Sequence, residues 1–367
     1  MYFLKKSMKI SMPFVFVVLW LIYEMVNHYL FLSWPWLTFG NAMSNAHYFV
    51  QWVSFFGIYS VSGWLLTLGL MLNEIVKCRE NREKKYRITR FILVLNFPIL
   101  LSVIQYFLIP SHQDTPVKIS VCIPENPNLK NIDKTRALYN YSKFNSTVDF
   151  ILTPELFLKS VQLSSSLNRK HNFYFIDQVL LENPPATLVL GAEVKNHDGK
   201  LFNTIIFYNS KELFVKSKKK YIPVQEYTPS YLNLIFGKSF YELNIDDDQD
   251  EIISEYGVMP LLCYESLFSG FIQENLQSSD LIFLLTSEDF MNNSIFGLQQ
   301  YLNIIRLKAI ESNRNIVKCS SGGISVVINE KGDVAEKVTS EFQIVNAYRI
   351  NKLSLYTKIN RLYEKVF

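Results

Sequence analysis

Met259-Pro-Leu-Leu-Cys-Tyr-Glu-Ser266 is a short apolar run that ends in a cysteine followed by Tyr-Glu. The run has the length and composition of a buried strand, so it predicts that Cys263 lies where a strand ends at the edge of a sheet. A buried cysteine is usually a small core residue. A chemical role for Cys263 therefore depends on which other side chains the fold brings beside it.

Two other stretches end in charged residues that suit a thiol. Val148-Asp-Phe-Ile-Leu-Thr-Pro-Glu155 is an apolar strand followed by a proline and a carboxylate, and Phe214-Val-Lys-Ser-Lys-Lys-Lys-Tyr-Ile-Pro223 presents several amines. A thiol needs a base to become a thiolate, and an attacked carbonyl needs a cation or a dipole where its negative charge develops. Glutamate, lysine and cysteine at three strand ends would supply those roles. The competing interpretations are a helix N-terminal carboxylate for Glu155 and solvated charges for the lysines.

The composition excludes several other kinds of site. The 367-residue chain has a net charge of +4, and its basic residues lie in short clusters beside apolar runs, so nucleic-acid binding is not expected. Four cysteines without a CxxC pair and five histidines without an HExxH pattern predict no disulfide framework, no metal site and no cofactor. The acidic run at residues 246–251 lacks the glycine and the terminal glutamate of a calcium loop, and it is interpreted as solvated.

The amino-terminal part of the chain has the composition of a membrane domain. Three apolar runs are each about long enough to cross a bilayer, at residues 13–32, 49–72 and 91–109. We expect three transmembrane helices within a membrane part that covers residues 1–110. The lysines before the first run and the basic segment at residues 77–90 are both expected in the cytoplasm. The chain after Pro110 would then lie on the periplasmic face of a bacterial inner membrane, in a multi-pass protein.

Two features of this membrane part are interpreted from their depth. Glu24 lies within the first run, and an ionisable side chain at that depth normally faces protein or water rather than lipid. Trp34-Pro-Trp36 follows at the depth of the headgroups, where amphipathic rings are favoured. We interpret Glu24 as pointing into the protein, and the two tryptophans as an interfacial belt rather than as substrate contacts.

Short apolar runs alternate with helix-like stretches from Val117 onward. This alternation over about 240 residues predicts an α/β domain in which helices pack on sheets. The candidate strands are residues 118–123, 149–152, 187–191, 204–208, 258–263, 281–285, 316–319 and 324–328, and the candidate helices are residues 131–145, 154–169 and 297–313.

Three motifs, in this order, resemble those of one enzyme family. They are Thr153-Pro-Glu155, Lys218-Lys-Lys-Tyr-Ile-Pro-Val-Gln-Glu-Tyr-Thr-Pro229 and Cys263-Tyr-Glu265. They are similar to the Pro-Glu, Lys-x-x-Leu-Val-Pro-Phe-Gly-Glu-Tyr-x-Pro and Cys-Tyr-Glu motifs of bacterial apolipoprotein N-acyltransferases, whose catalytic domain belongs to the nitrilase (carbon-nitrogen hydrolase) superfamily. The spacing of the matched lysine from the motif's glutamate, Glu226, selects Lys218 among the neighbouring lysines.

The resemblance implies a fold and a domain organisation. It implies a nitrilase-like α-β-β-α sandwich at residues 117–358, preceded by the three transmembrane helices and followed by a truncated tail at residues 359–367. The family has more membrane helices than this chain, so the membrane part is expected to be reduced. The chain also departs from the family at Ser287-Glu288, where Asn-Asp is usual, and at Ser321-Gly322-Gly323, where Asn-Thr-Gly is usual.

The resemblance also implies a ping-pong acyl transfer, with residue roles carried over from the motifs. Glu155 would act as the base on Cys263, and the thiolate would attack an acyl ester of a phospholipid donor. Lys218, whose charge should lower the thiol pKa, would stabilise the oxyanion together with the backbone N–H of Tyr264. The thioester would pass its acyl chain to the α-amino group of the diacylglyceryl-cysteine of a lipoprotein acceptor. Glu226 and Glu265 are expected to hold Lys218 and the strand geometry.

One apolar stretch and two alternative functions remain open. Tyr231-Leu-Asn-Leu-Ile-Phe236 is either core or, as we prefer, a mobile lip that dips into the bilayer and keeps water from the thioester. The lipid-facing residues of this lip would be Leu232, Leu234, Ile235 and Phe236. The first alternative function is a membrane-tethered amidase that uses the same triad on a soluble substrate. The second is a family member that kept the fold without turnover.

Overall fold

The computed structural model describes most of the chain, and its amino-terminal part is helical. The described residues are 12–109, 115–124, 126, 128–142, 147–162, 174–182, 185–242, 247–276, 278–292 and 294–364. The longer amino-terminal helices are Met12–Asn27, Ile58–Lys77 and Asn81–Leu108. Shorter helical turns lie between the first two, at Pro35–Leu37, Phe39–Phe49 and Val53–Phe56.

Two helices in the described part of the chain are long and apolar enough to cross a membrane, namely Ile58–Lys77 and Asn81–Leu108. The prediction of three such helices is therefore wrong for these residues, because the described helix Met12–Asn27 has only 16 residues and a span needs about 20. The predicted run at residues 49–72 is also interrupted. Gly57 has a φ of +71°, which ends one helical turn before the next helix begins.

The remainder of the chain forms two β-sheets. The strands of the first sheet are β1 (Val117–Cys122), β2 (Phe150–Leu152), β3 (Leu158–Val161), β4 (Thr187–Lys195), β5 (Leu201–Tyr208), β6 (Leu213–Ser217) and β12 (Phe342–Ala347). Their order is β12-β1-β2-β4-β5-β6, and β3 pairs with β4. The strands of the second sheet are β7 (Val258–Leu262), β8 (Leu281–Ser287), β9 (Asn315–Ser321), β10 (Val326–Ile328) and β11 (Val334–Lys337), in the order β11-β10-β9-β8-β7.

Both sheets contain a parallel group of strands, and the carboxyl ends of these groups carry the predicted site residues. β1, β2 and β4 run parallel in the first sheet, as do β7, β8 and β9 in the second. Parallel strands covered on both faces become continuous apolar runs, as in Leu281–Leu285. The same pattern predicted these strands from the sequence.

The sheets pack face to face, and helices cover their outer faces. Phe150 of the first sheet contacts Phe283 of the second edge-to-face, with ring centroids 5.0 Å apart, within a core shared by both sheets. The helices Asn131–Ser142 and Tyr174–Glu182 pack on the first sheet, and Ser269–Asn275 and Ile295–Ser312 pack on the second. The layers follow the predicted α-β-β-α order, and the prediction of a mixed α/β domain is confirmed.

Some local predictions differ from the structure. The predicted helix at residues 154–169 is wrong in its described part, because Leu158–Val161 forms β3, and residues 163–169 lie outside the described residues. The remaining helices are Asn233–Phe236, Gln249–Tyr256 and Leu355–Glu364, the last of which includes most of the predicted tail. Residues 365–367 of that tail lie outside the described part of the chain.

The helical amino-terminal part docks on the second sheet's helix layer. The buried carboxylate of Glu311 accepts a hydrogen bond from the backbone N–H of Ile58 at 2.9 Å. Gly57 lies so close to Tyr356 that an added Cβ would be 2.5 Å from that ring. Glu24 is buried and accepts a hydrogen bond from the N–H of Phe39 at 2.7 Å, so it points into the protein. These contacts hold residues 33–37 over the end of β7.

Candidate active site

Cys263 begins a tight turn directly after β7. The turn Cys263–Leu267 is a 3-10 helix, and every residue in it is buried. Cys263 has a φ of +41°, in the left-handed region that residues with a side chain rarely adopt. Its carbonyl oxygen accepts hydrogen bonds from Ser266 Oγ at 2.6 Å and from Tyr301 Oη at 3.0 Å. The turn therefore places the thiol at a sheet edge, as the strand pattern predicted.

Glu155 lies after β2, on the same side of the sandwich. Its Oε1 accepts hydrogen bonds from Lys218 Nζ at 2.9 Å and from Asn203 Nδ2 at 2.7 Å. Its Oε2 accepts the backbone N–H of Ser287 at 2.9 Å. The turn that presents Glu155 packs against Gly191, where an added Cβ would lie 2.1 Å from the Pro154 carbonyl oxygen. Three donors and one required glycine fix the position of this carboxylate.

Lys218 follows β6 and is buried between two carboxylates. Its Nζ lies 2.9 Å from Glu155 Oε1 and 2.7 Å from Glu226 Oε1. Glu226 is held in turn by the N–H of Ile222, at 2.7 Å from Oε2. Burial favours the neutral amine, but the negative charges of Glu155 and Glu226 outweigh it and raise the pKa of Lys218 well above its usual value. Lys218 is therefore a fixed cation.

The Cys263 thiol is neutral at pH 7. Burial raises its pKa well above the usual value, and the charge of Glu155 adds to that effect. Lys218 acts in the opposite direction, as its charge requires, but it does not outweigh the other two causes. Lys218 therefore lowers the thiol pKa as expected, but burial and Glu155 outweigh it, and a thiolate must form by transfer of the proton to a base.

Two further ion pairs lie in the same region. Lys216 pairs with Glu265, and Lys318 pairs with Glu288; all four side chains are fully buried. Glu265 also accepts the N–H of Leu262 at 2.8 Å. Glu265 was expected to hold Lys218, whereas in the structure it holds Lys216 and the end of β7. The sequence did contain a sign of these pairs, because Lys216 and Lys318 are single charges inside apolar strands.

The balance of buried charges identifies where the thiol proton can go. The site holds the lysines Lys216, Lys218 and Lys318 and the glutamates Glu155, Glu226, Glu265 and Glu288. Releasing the thiol proton to water would leave an additional charge in a buried region, which is costly. Moving it to one of the carboxylates leaves the total charge unchanged, and Glu155 is the carboxylate whose charge raises the thiol pKa most.

Cys263 lines a small cavity with an apolar wall. The cavity has a volume of about 130 Å³. Its wall includes Trp34, Trp36, Leu267, Phe290, Met291 and Tyr301. The two tryptophans come from the amino-terminal part and line the same cavity as Cys263, a place that their interpretation as an interfacial belt did not include. Tyr264 closes part of the wall, and its Oη donates to the Ser33 carbonyl oxygen at 2.7 Å.

The predicted lip is an exposed apolar loop anchored at the site. Leu234 is fully exposed, Ile235 and Phe236 are exposed, and Leu232 is half-buried, so this stretch is not core. The loop closes on Glu226, whose carbonyl oxygen accepts the N–H groups of Phe240 at 3.1 Å and Tyr241 at 3.0 Å. The residue that holds Lys218 therefore also anchors the loop.

The described residues contain no cluster of side chains suited to hold a metal ion. The Glu155–Lys218 contact and the buried Cys263 lie at strand ends of a two-sheet α/β sandwich, an arrangement of carboxylate, cation and thiol suited to acyl chemistry at the cysteine. Residues 1–71 match the sequence profile of the apolipoprotein N-acyltransferase N-terminal domain. Together with the relatives described next, this shows that most of the chain is similar to apolipoprotein N-acyltransferases.

Several curated proteins named apolipoprotein N-acyltransferase are similar to most of the chain. The protein from Rickettsia typhi is 24% identical over 342 residues, covering 88% of this chain and 67% of that protein. The protein from Haemophilus ducreyi is 23% identical over 358 residues, covering 92% of this chain and 69% of that protein. Among solved structures, a variant amidase from Nesterenkonia sp. AN1 is 13% identical with a TM-score of 0.46, covering 71% of this chain and all of that one at 100%.

Proposed function

We propose that this acyltransferase moves an acyl chain from a phospholipid to Cys263, and from there to the α-amino group of the diacylglyceryl-cysteine of an apolipoprotein. The observation that carries the proposal is the buried Glu155–Lys218 contact next to the thiol, which supplies a base and a cation for one nucleophile. An N-acyltransferase role in lipoprotein maturation agrees with the similarity of the chain to apolipoprotein N-acyltransferases. The steps below are what these residues can perform.

In the first half of the reaction, the thiol proton moves to Glu155 and the sulfur attacks the ester carbonyl carbon of the phospholipid. The developing oxyanion is stabilised by Lys218 and the backbone N–H of Tyr264. When the tetrahedral intermediate collapses, the carbon–oxygen bond breaks and the lysophospholipid alkoxide takes the proton from Glu155. The products are a lysophospholipid with a neutral hydroxyl group and an acyl thioester on Cys263.

In the second half, the neutral α-amine of the acceptor attacks the thioester carbonyl carbon. Glu155 takes a proton from the attacking nitrogen, and Lys218 again faces the oxyanion. The carbon–sulfur bond then breaks, and the expelled sulfur regains the proton from Glu155. The result is an amide on the acceptor and the original neutral thiol, so the buried charge is the same before and after each half reaction.

The lip and the topology support a membrane setting. The lip would cover the thioester from the lipid side, with Leu232, Leu234, Ile235 and Phe236 in the hydrocarbon. The lysines before the first helix and the basic residues at positions 77–90 favour the cytoplasm. The catalytic domain would then face the periplasm of a bacterial inner membrane, within reach of phospholipid and of lipoprotein acceptors.

The function is tested by supplying the purified protein with phospholipid that carries a labelled acyl chain. We expect the label on the Cys263 peptide, removable by hydroxylamine as a thioester is, and transferable to a diacylglyceryl-cysteine peptide. Cys263→Ala protein should carry no label. The amidase alternative predicts no label together with Cys263-dependent hydrolysis of small amides, and a family member without turnover predicts neither.

Complementation provides the matching test in cells. A cell depleted of its apolipoprotein N-acyltransferase should recover growth and triacylated lipoproteins with this chain but not with the Cys263→Ala form. Failure of the unaltered chain, at wild-type membrane levels, would contradict the proposed acceptor.

A further inference from the structure

Cys263 holds a backbone conformation that its own side chain disfavours. A left-handed conformation is unfavourable for a residue other than glycine, and it persists only when its surroundings fix it. Here the Cys263 carbonyl, with the residue's φ at +41°, is fixed by Ser266 Oγ and by Tyr301 Oη. These hydroxyls also contact each other at 2.8 Å. The direction of the thiol therefore depends on where Tyr301 lies.

Tyr301 is itself held by one aromatic contact and one contact with a lysine. Its ring stacks on Trp36 with centroids 5.5 Å apart and planes 15° from parallel. Lys318 Nζ lies 5.3 Å from the centre of the same ring, and its pairing with Glu288 holds it in place. The hydroxyl of Tyr301 is thus aimed at the Cys263 carbonyl by Trp36 on the amino-terminal part and by Lys318 on the second sheet.

The turn that carries Trp36 is also fixed. Asn41 Nδ2 donates to the carbonyl oxygens of Pro35 at 3.1 Å and of Trp36 at 3.2 Å. The Ser33 carbonyl accepts the Tyr264 hydroxyl at 2.7 Å, and the Trp34 ring lies 5.9 Å from the Tyr264 ring. The residues from 33 to 37 therefore contact the nucleophile's turn at two points, one at Tyr264 and one through Tyr301.

We propose that this turn of the amino-terminal part positions the nucleophile, with Trp36 acting through Tyr301 on the Cys263 backbone, and that it forms the wall for the acyl carbons next to the carbonyl. This inference rests on the proposed acyl transfer and deepens it. Trp36 and Tyr301 are positioning residues, because both act on the backbone of Cys263. Without the amino-terminal part, the two-sheet domain would lack the Trp36 ring that packs on Tyr301 and part of the cavity wall.

The size of the cavity limits which part of the acyl chain it holds. Its volume is about 130 Å³, and a protein cavity of about 150 Å³ holds one benzene molecule. Only the few carbons nearest the carbonyl fit inside. The cavity therefore holds only the part that short and long acyl donors share, so a short ester can report on attack by Cys263.

The test uses the full chain in detergent and follows the burst of p-nitrophenol from p-nitrophenyl butyrate, with Cys263→Ala protein subtracted. This short ester reports attack by Cys263 without any lipid substrate. We expect Trp36→Ala and Tyr301→Phe each to slow the burst about tenfold at saturating ester, with little change in the half-saturating concentration. Trp36→Phe keeps a ring over Tyr301 and should restore most of the rate.

A double-mutant cycle separates positioning from general loss of stability. Because Trp36 acts through the Tyr301 hydroxyl, adding Trp36→Ala to Tyr301→Phe should slow the burst little further. Trp64→Ala is the control, since Trp64 is a tryptophan of the amino-terminal part that is more buried than Trp36 but packs on Trp52. It should leave the burst close to wild type.

Each other outcome has a definite meaning. Three results would overturn the inference. The rate losses of Trp36→Ala and Tyr301→Phe could multiply in the double mutant, the burst of Trp36→Phe could be as slow as that of Trp36→Ala, or Trp64→Ala could slow the burst as much as Trp36→Ala does. A wild-type burst without acyl transfer from phospholipid would reject the proposed function and leave the positioning role standing. The absence of any wild-type burst would reject both.

Discussion

The interior around Cys263 and the loop at Ser230–Phe236 each have a polarity that is unusual for their location. The interior contains charged side chains, whereas the exposed loop contains apolar ones. Three lysines and four glutamates are held away from solvent at the site. Leu234 and Ile235 are apolar side chains that are exposed on the loop. Charged residues are rarely buried unless paired, and exposed apolar patches mark interaction surfaces. The difference teaches that the fold excludes water from the charges at the site, and that the exposed apolar loop beside it has the character of an interaction surface, as the proposed lipid-facing lip requires.

The largest effect should follow from neutralising the buried base. Glu155→Gln keeps the shape of the side chain but cannot accept the thiol proton. We expect acyl-thioester formation from phospholipid to fall by about 10² to 10⁴-fold, measured as label on Cys263. Glu193→Gln is the control, since Glu193 is also buried in the first sheet but binds Ser160. An equal loss of thioester formation in Glu193→Gln would show that the effect comes from packing and not from proton transfer.

The next largest effect should be a loss of stability when one buried ion pair is broken. Lys216→Met leaves Glu265 buried without its cation, which should lower the free energy of unfolding by about 3 to 5 kcal/mol. Thermal unfolding in detergent measures this loss. Lys211→Met removes an exposed lysine from the same hairpin and should change little. If Lys216→Met is as stable as Lys211→Met, the charges at the site are hydrated and the contrast with the lip disappears.

The pH dependence of thiol reactivity sharpens the same contrast. Because burial and Glu155 raise the pKa of Cys263, the neutral thiol persists past pH 9. Alkylation of Cys263 by iodoacetamide should therefore rise about tenfold per pH unit from pH 7 to 9 without a plateau. Glu155→Gln removes a negative charge and should shift this profile to lower pH, although it slows acyl transfer. A wild-type plateau near pH 7 would contradict the dry site.

The smallest effect should come from charging the lip. Leu234→Glu places a carboxylate where the proposal places lipid, and it should reduce transfer from phospholipid vesicles about tenfold. The melting temperature and the burst with p-nitrophenyl butyrate should not change, since the side chain packs on nothing. Leu181→Glu alters another exposed leucine, on the helix that covers the first sheet. Equal rates of acyl transfer in the two variants would contradict the proposal that the lip contacts lipid.

Sequence patterns predicted the parts of this protein that depend on local chemistry. The apolar run before Cys263 indicated β7, the alternation of elements indicated an α/β domain, and the motifs singled out Glu155 and Lys218. Such features are local because a strand's burial and a motif's spacing are properties of neighbouring residues. Helix limits were predicted less well, since Gly57 interrupts one apolar run and the structure ends Met12–Asn27 early.

The sequence by itself determined the strand that carries the nucleophile, the apolar character of the amino-terminal part and the lysine motif. Only the tertiary structure decided that Lys216 pairs with Glu265, that Lys318 backs Tyr301, and that Trp36 reaches a cysteine more than two hundred positions away. The physical reason is that a buried charge or ring is stabilised by whichever partner the packing of distant elements places beside it. No spacing along the chain records that partner.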